Sequence, residues 1–224
     1  GPSTVDSEPV ADTDYTDIAI LAVKLPEGHR SLKELGAEVT SSGGSFTLEQ
    51  LTDGDISNSG RLPAGKDGFA WIQYGFPQPQ TIRSLTTINE IARNERHSIP
   101  AYCQDSLQIS DDGINFKTVL GIPVGDAIQQ TISFEPITAR YFRLKHKNPV
   151  SAYHYTMKEP LPDPEYSEIA EFVIYPETRV NHFEEKAGYA SAHDIELNPT
   201  PAADNAVCTE VINLEGKVKN GRLV

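Results

Sequence analysis
The sequence predicts an all-β protein folded as a two-layer sandwich of antiparallel strands. Two observations carry that prediction. First, apolar and polar residues alternate between residues 106 and 145. Leu107 and Ile109 alternate with polar neighbours, Ile132 and Phe134 lie between Thr131, Ser133 and Glu135, and Phe142 and Leu144 lie between Tyr141, Arg143 and Lys145. A period of two turns one side of each strand to a core and the other to water, as in antiparallel sheets. Second, Asp111-Asp112-Gly113 separates two such runs, and Phe116, Val119 and Leu120 resume the apolar pattern after it. Asp-Gly between β-patterned runs signals a hairpin, because glycine accepts the positive φ of a tight turn.

Taken from the N-terminus, residues 1–14 are small, acidic and proline-bearing, and are expected to be a flexible lead-in. Residues 17–25 (Asp-Ile-Ala-Ile-Leu-Ala-Val-Lys-Leu) are nearly continuous in apolar and β-branched residues, which predicts a buried strand ended by Pro26. Residues 31–38 fit a short helix or turn, 41–45 a Ser/Gly loop, and 47–51 lead into Thr52-Asp53-Gly54-Asp55. Residues 69–76 read as a strand with Trp71 in the core, followed by a turn at Pro77 and Pro79 and a strand over 81–89. Residues 91–102 read as a long loop. After the central strands, interrupted by a turn at Pro136, a second long loop over 148–166 is rich in tyrosine and proline. Residues 167–175 close the sandwich. Beyond a boundary at 176–179, residues 181–189 are helical or irregular, 198–205 resemble a linker, and 207–214 form a strand. Lys219-Asn220-Gly221-Arg222 makes a turn towards a strand that the sequence does not complete, so the chain is expected to continue in a longer protein. The expected division is 1–14 as lead-in, 15–178 as sandwich and 179–224 as a β-containing C-terminal extension towards a neighbouring domain.

The 32 acidic residues outweigh 19 basic ones, giving a net charge of −13. That balance argues against nucleic acid and against adhesion to anionic membranes, and leaves neutral sugars and hard cations as ligands. No apolar run approaches the roughly 20 residues that span a bilayer. Gly1-Pro2-Ser3 reads as a cloning remnant, so the absence of a leader carries no weight. Cys103 and Cys208 are too few for a disulfide framework; they pair only if their Cα atoms lie within about 7 Å, and two separate thiols is the simpler reading.

Five segments in order resemble the discoidin, or coagulation factor 5/8 type C, superfamily: residues 51–55, 71–75, 107–113, 139–144 and 169–172. The resemblance implies a galactose-binding-like jelly-roll sandwich. Residues 14–22 before it, and 179–188 after it, are similar to the bacterial α-L-rhamnosidases of glycoside hydrolase family 106. In that family such a sandwich interrupts the parts of a catalytic barrel. No barrel-length series of alternating strands and helices exists in this sequence. The resemblance therefore implies a non-catalytic module of a secreted or periplasmic bacterial glycoside hydrolase. Its partners would be the catalytic barrel of the parent chain and a plant-type polysaccharide. The rival readings are an independent lectin-like or adhesion domain, and a fragment that supplies part of a hydrolase active site.

The leading site expectation is a structural Ca²⁺. Asp53-Gly54-Asp55 followed by Asn58 gathers hard oxygens on a tight loop, suiting an ion that takes 6–8 oxygen ligands. By match to the superfamily, the set is the Gln50 carbonyl, the Asp53 carboxylate, the Asp55 carbonyl, Asn58, the Ala170 carbonyl and the Glu171 carboxylate. The alternative is an Asx-turn stabilised without metal. A sugar site is the second expectation: Arg93, Arg96 and His97 on one long loop, with Tyr153, His154 and Tyr155 on the other, offer ring faces and hydrogen-bond donors. The alternative there is tyrosines packed against a neighbouring domain. Glycoside hydrolysis needs two carboxylates flanking the scissile bond. Glu184 with Glu185, and Asp163 with Glu165, are adjacent only in sequence, so no catalytic residue is assigned, although Glu184 or Glu185 remains a candidate to face the barrel. The histidines have no metal-ligand spacing and there is no phosphate-binding glycine loop.

Overall fold
The computed structural model describes residues 30–90, 105–122, 128–148, 163–186, 218–219 and 222–223. The expected strands at 17–25 and 207–214, most of both long loops, and both cysteines lie outside the described residues. The chain divides into two compact units, residues 28–204 and residues 1–27 with 205–224. In the smaller unit the described part is a two-stranded antiparallel ladder.

The larger unit is all-β, as predicted. Its strands are β1 (Glu38–Ser41), β2 (Gly60–Pro63), β3 (Phe69–Glu90), β4 (Asp105–Ser110), β5 (Lys117–Ile122), β6 (Gln129–Lys147) and β7 (Tyr166–Tyr175). A single turn of helix, α1 (Phe183–Lys186), follows, and β8 (Val218–Lys219) with β9 (Arg222–Leu223) makes the ladder of the smaller unit. The seven strands form one hydrogen-bonded sheet that folds over on itself. One layer runs β1, the first part of β3, the second part of β6, β4 and β5. The other runs β2, β7, the second part of β3 and the first part of β6.

Two strands thus pass through both layers, which corrects the expectation of turns at Pro77/Pro79 and at Pro136. Pairing of β3 with β6 breaks between Gly75 and Gln80 and again between Ile82 and Ser84. The prolines fall in those breaks. Proline has no N–H to give a ladder, so a gap in the ladder is where a bending strand accommodates it.

Where the layers meet, the rings of Tyr74 and Phe172 stack at 5.0 Å and 11°, and Phe76 meets Phe142 edge-on at 6.0 Å. The Tyr74 hydroxyl donates to the Phe172 carbonyl, so the buried phenol is satisfied. Ile72, Leu85, Leu107, Leu144, Ile169 and Ile174 fill the rest of the core. Each such side chain contributes about 1.5–3 kcal/mol by leaving water.

Trp71 is not in this core. Ala70, Ile72, Tyr74 and Phe76 point inward on β3, so strand alternation turns the half-buried Trp71 outward, opposite Lys145. Thr131 and Ser133, expected to face water, are buried because residues 177–184 lie over them. The Asp111-Asp112-Gly113 hairpin is as predicted. Gly113 has φ +75, and the Asp112 carboxylate accepts from the N–H groups of Ile114 and Asn115 and from the Asn115 amide. These bonds, led by those from Asn115, hold its carboxyl far below the usual range.

Candidate functional site
A 3-10 turn at Gln50–Thr52, with Leu51 fully buried, delivers the chain to Asp53. Gly54 then takes φ +75, where an added Cβ would meet nothing within 4 Å, so the glycine answers a backbone need and not a shortage of space. In this conformation its N–H donates to Glu171 Oε1 at 2.7 Å. Asp53 Oδ1 accepts from the Asp55 N–H at 2.7 Å, and Oδ2 accepts from Asn58 Nδ2 at 2.7 Å. The Asp55 N–H and then Asn58 lower the Asp53 pKa, since both bonds favour the charged carboxylate. Gln50 Nε2 reaches the Asn58 carbonyl at 3.4 Å.

Glu171 is 3% exposed on β7. Its carboxyl is pushed up to about 7, chiefly by burial and further by contact with Asp53 and the charge of Asp55. Ala170 beside it has no register partner on β3: Ile88 pairs with Glu171 and Asn89 with Ile169. The extra residue of a bulge stands out of the ladder. Five of the six residues expected to hold calcium thus meet directly, with Ala170 as bulge residue adjoining them.

The donor chemistry fits a hard cation. Two carboxyl groups touch, one of them buried and resisting ionisation, and oxygen is the common donor. Two details depart from the expected set. The Asp55 carbonyl already accepts from the Asn58 N–H at 3.0 Å, and Asn58 turns its side-chain nitrogen to Asp53, so coordination through its oxygen requires the amide to rotate. Among the described residues no cluster of three or more His, Cys, Asp or Glu side chains is placed to hold a metal, so the set depends on main-chain carbonyls beside two carboxylates.

A second constellation escaped sequence reading. His146 Nδ1 lies 2.8 Å from Asp105 Oδ2 and Nε2 lies 2.9 Å from Ser167 Oγ. Asp105 also accepts from Asn89 Nδ2 at 3.0 Å and from the Lys147 N–H at 3.0 Å. The partner order is that of a nucleophile, base and orienting acid. All three side chains are buried, however, so the serine hydroxyl is turned into the protein and away from any substrate. The network ties the ends of β3, β4, β6 and β7, the strand ends that flank residues 91–104 and 149–165. Histidine, aspartate and serine more than 20 residues apart leave no spacing signal; only the fold brings them together.

Glu184 does not face outward as a catalytic candidate would. Its Oε1 accepts from Gln129 Nε2 and the Thr131 hydroxyl, each at 2.7 Å, and Oε2 accepts from the Thr131 N–H at 3.0 Å. Asn181 Oδ1 accepts from the Ser133 N–H at 2.9 Å. These side chains satisfy the outer N–H groups of β6, an edge strand in this layer, and so block pairing with another chain. Asp163 and Glu165 are exposed ahead of β7. The expected sugar residues Arg93, Arg96, His97, Tyr153, His154 and Tyr155 lie outside the described residues. Among the described residues no helix is long and apolar enough to cross a membrane.

The sandwich is similar to several solved structures. A rhamnosidase from Novosphingobium sp. PP1Y aligns at 22% identity and a TM-score of 0.57, covering 84% of this chain and 17% of that one. Chitosan-binding module 1 of a chitosanase/glucanase from Paenibacillus sp. IK-5 aligns at 22% identity and a TM-score of 0.44, covering 66% of this chain and 99% of the module. A Clostridium perfringens module in complex with GalNAc-β-1,3-galactose aligns at 14% identity and a TM-score of 0.44, covering 65% and 99%. These are likenesses of fold. No curated protein matches the sequence. The F5/8 type C domain model matches residues 36–159, more than half of the 224-residue chain. Together with the all-β architecture, that match places the chain in the F5/8 type C, or discoidin-like, family.

Proposed function
We propose that this chain is a non-catalytic, carbohydrate-contacting module of a secreted bacterial glycoside hydrolase resembling the α-L-rhamnosidases of family 106. It buttresses the catalytic domain of the parent protein. The observation that carries this reading is the extent of the rhamnosidase likeness: it takes in 84% of this chain yet only 17% of the enzyme, more of this chain than the family-matched residues 36–159. A sandwich of this kind contributes binding or support, while the chemistry resides elsewhere. Ca²⁺ held by Asp53 and Glu171, with the Gln50, Asp55 and Ala170 carbonyls and Asn58, would neutralise the touching carboxyl groups and fix the 50–58 loop on β7. Its part is structural.

The test is turnover of an aryl α-L-rhamnoside by this chain alone and by the enzyme that contains it. The reading expects none from the chain and turnover from the enzyme, reduced when the module is deleted. Turnover by the chain alone would overturn it. Family membership favours a second reading, an independent carbohydrate-binding domain; this one expects affinity for free sugars and no dependence of any hydrolase on the module.

A further inference from the structure
We infer that the outward face of the layer containing β4 and β5 is a platform for a carboxylated polysaccharide, laid along β6 over Arg143 and Lys145. Alternation on β6 turns both cations outward. The Arg143 guanidinium is flanked by two rings, with its Cζ 4.2 Å from the Trp71 centroid and 3.4 Å from that of Phe116. Its Nε and Nη2 both donate to Gln73 Oε1, at 3.1 and 2.7 Å, and Gln73 is itself buried. Lys145 Nζ sits 3.9 Å from the Phe69 ring centroid, and Phe69 is 37% exposed.

Among the described residues these two cations have no counter-ion. Arg143 lies opposite Gln73 on β3 and Gln108 on β4, and Lys145 lies opposite Trp71 and Ser106. Among the described residues neither cation pairs with a carboxylate, in a chain where 32 acidic residues face 19 basic ones. Burial alone lowers the Arg143 pKa, with no neighbouring anion raising it. Cross-strand cation–π packing explains why the rings are there. It does not explain a half-buried guanidinium left without an anion, held by Gln73 with its remaining N–H groups uncommitted.

A partner carboxylate fits this arrangement in chemistry and in shape. The guanidinium fork matches a carboxylate in two parallel hydrogen bonds, and its orientation is already fixed before binding. Ring faces beside it accept the C–H faces of a sugar. Outward residues two apart on a strand stand about 6.6–6.8 Å apart, so an extended ligand along β6 meets Arg143 and then Lys145.

The inference rests on reading the chain as a carbohydrate-contacting module. The test is calorimetry of the intact chain with de-esterified oligogalacturonate, its methyl ester and a neutral glucan of equal length. Arg143→Gln and Lys145→Gln are titrated in parallel, with thermal melting to verify their fold. The expected result is binding of the carboxylated oligomer only, weakened by added salt and at least tenfold by Arg143→Gln. Lys145→Gln serves as the reporter if the first variant does not fold. Three results would overturn the inference: no binding of the carboxylated oligomer, equal binding of the ester, or unchanged affinity in the folded variants. Capture of an acidic protein without binding of the oligomer would count against it too. A neutral sugar bound equally by wild type and Arg143→Gln would remove this platform and leave the proposed function standing.

Discussion
Replacing His146 with alanine tests whether the buried network at the strand ends supports the module. Both ring nitrogens are bonded, to Asp105 at 2.8 Å and Ser167 at 2.9 Å, and the ring is 4% exposed. After truncation Asp105 keeps Asn89 and the Lys147 N–H, while the Ser167 hydroxyl loses its ring partner beside a new cavity. Leaving a buried polar group without its partner costs about 1–3 kcal/mol, and the cavity left by the ring adds to that. With the other bonds to Asp105 retained, the expected loss is about 3 kcal/mol. For a protein of this size that lowers Tm by about 10 °C. Urea unfolding of wild type, His146→Ala, Asp105→Asn and the double variant gives the coupling, expected at about 1–3 kcal/mol. A loss under about 1 kcal/mol, or strictly additive single variants, would refute the claim that the three residues act together.

Other outcomes follow from the same geometry. The Glu171 pKa is about 7 folded against 4.5 for the free group. Its contribution is therefore complete below pH 4.5 and is lost as pH rises through 7: with chelator present, stability should fall over that window by at most about 3 kcal/mol. Glu171→Gln should flatten the slope and abolish any rise in Tm with calcium; denaturation at a series of pH values checks both. Gly54→Ala should cost about 1–2 kcal/mol by forcing an L-residue to φ +75, and Gly54→Asn distinctly less; equal losses would point to a clash that the open space at this position excludes. Glu184→Ala should free the Thr131 N–H at the β6 edge, lower stability by about 1–3 kcal/mol and bring concentration-dependent association visible in sedimentation.

The fold was legible because its signal is local. Leu107 and Ile109, Phe142 and Leu144, and the Asp-Gly turn declare their strands within a few residues. Strand continuity was not: Pro77 and Pro136 look like stops, and only the broken β3–β6 register explains why the strands pass through them. Trp71 was misplaced because its hydrophobicity was weighed above its parity on β3. The Asp53 loop could be read because its residues are sequential and its distant partner belongs to a family pattern. His146, Asp105 and Ser167 carry no pattern along the chain, and the use of Glu184 as an edge cap depends on which strand ends a layer.

The most direct test of the central claim is calorimetry of the chain against a sugar panel with calcium present, with aryl rhamnoside turnover measured in the same samples. The account predicts saturable binding of at least one carbohydrate and no turnover. Turnover by this chain, or no affinity for any sugar while calcium raises Tm, would contradict a carbohydrate-contacting module and leave an enzyme in the first case and a purely structural domain in the second.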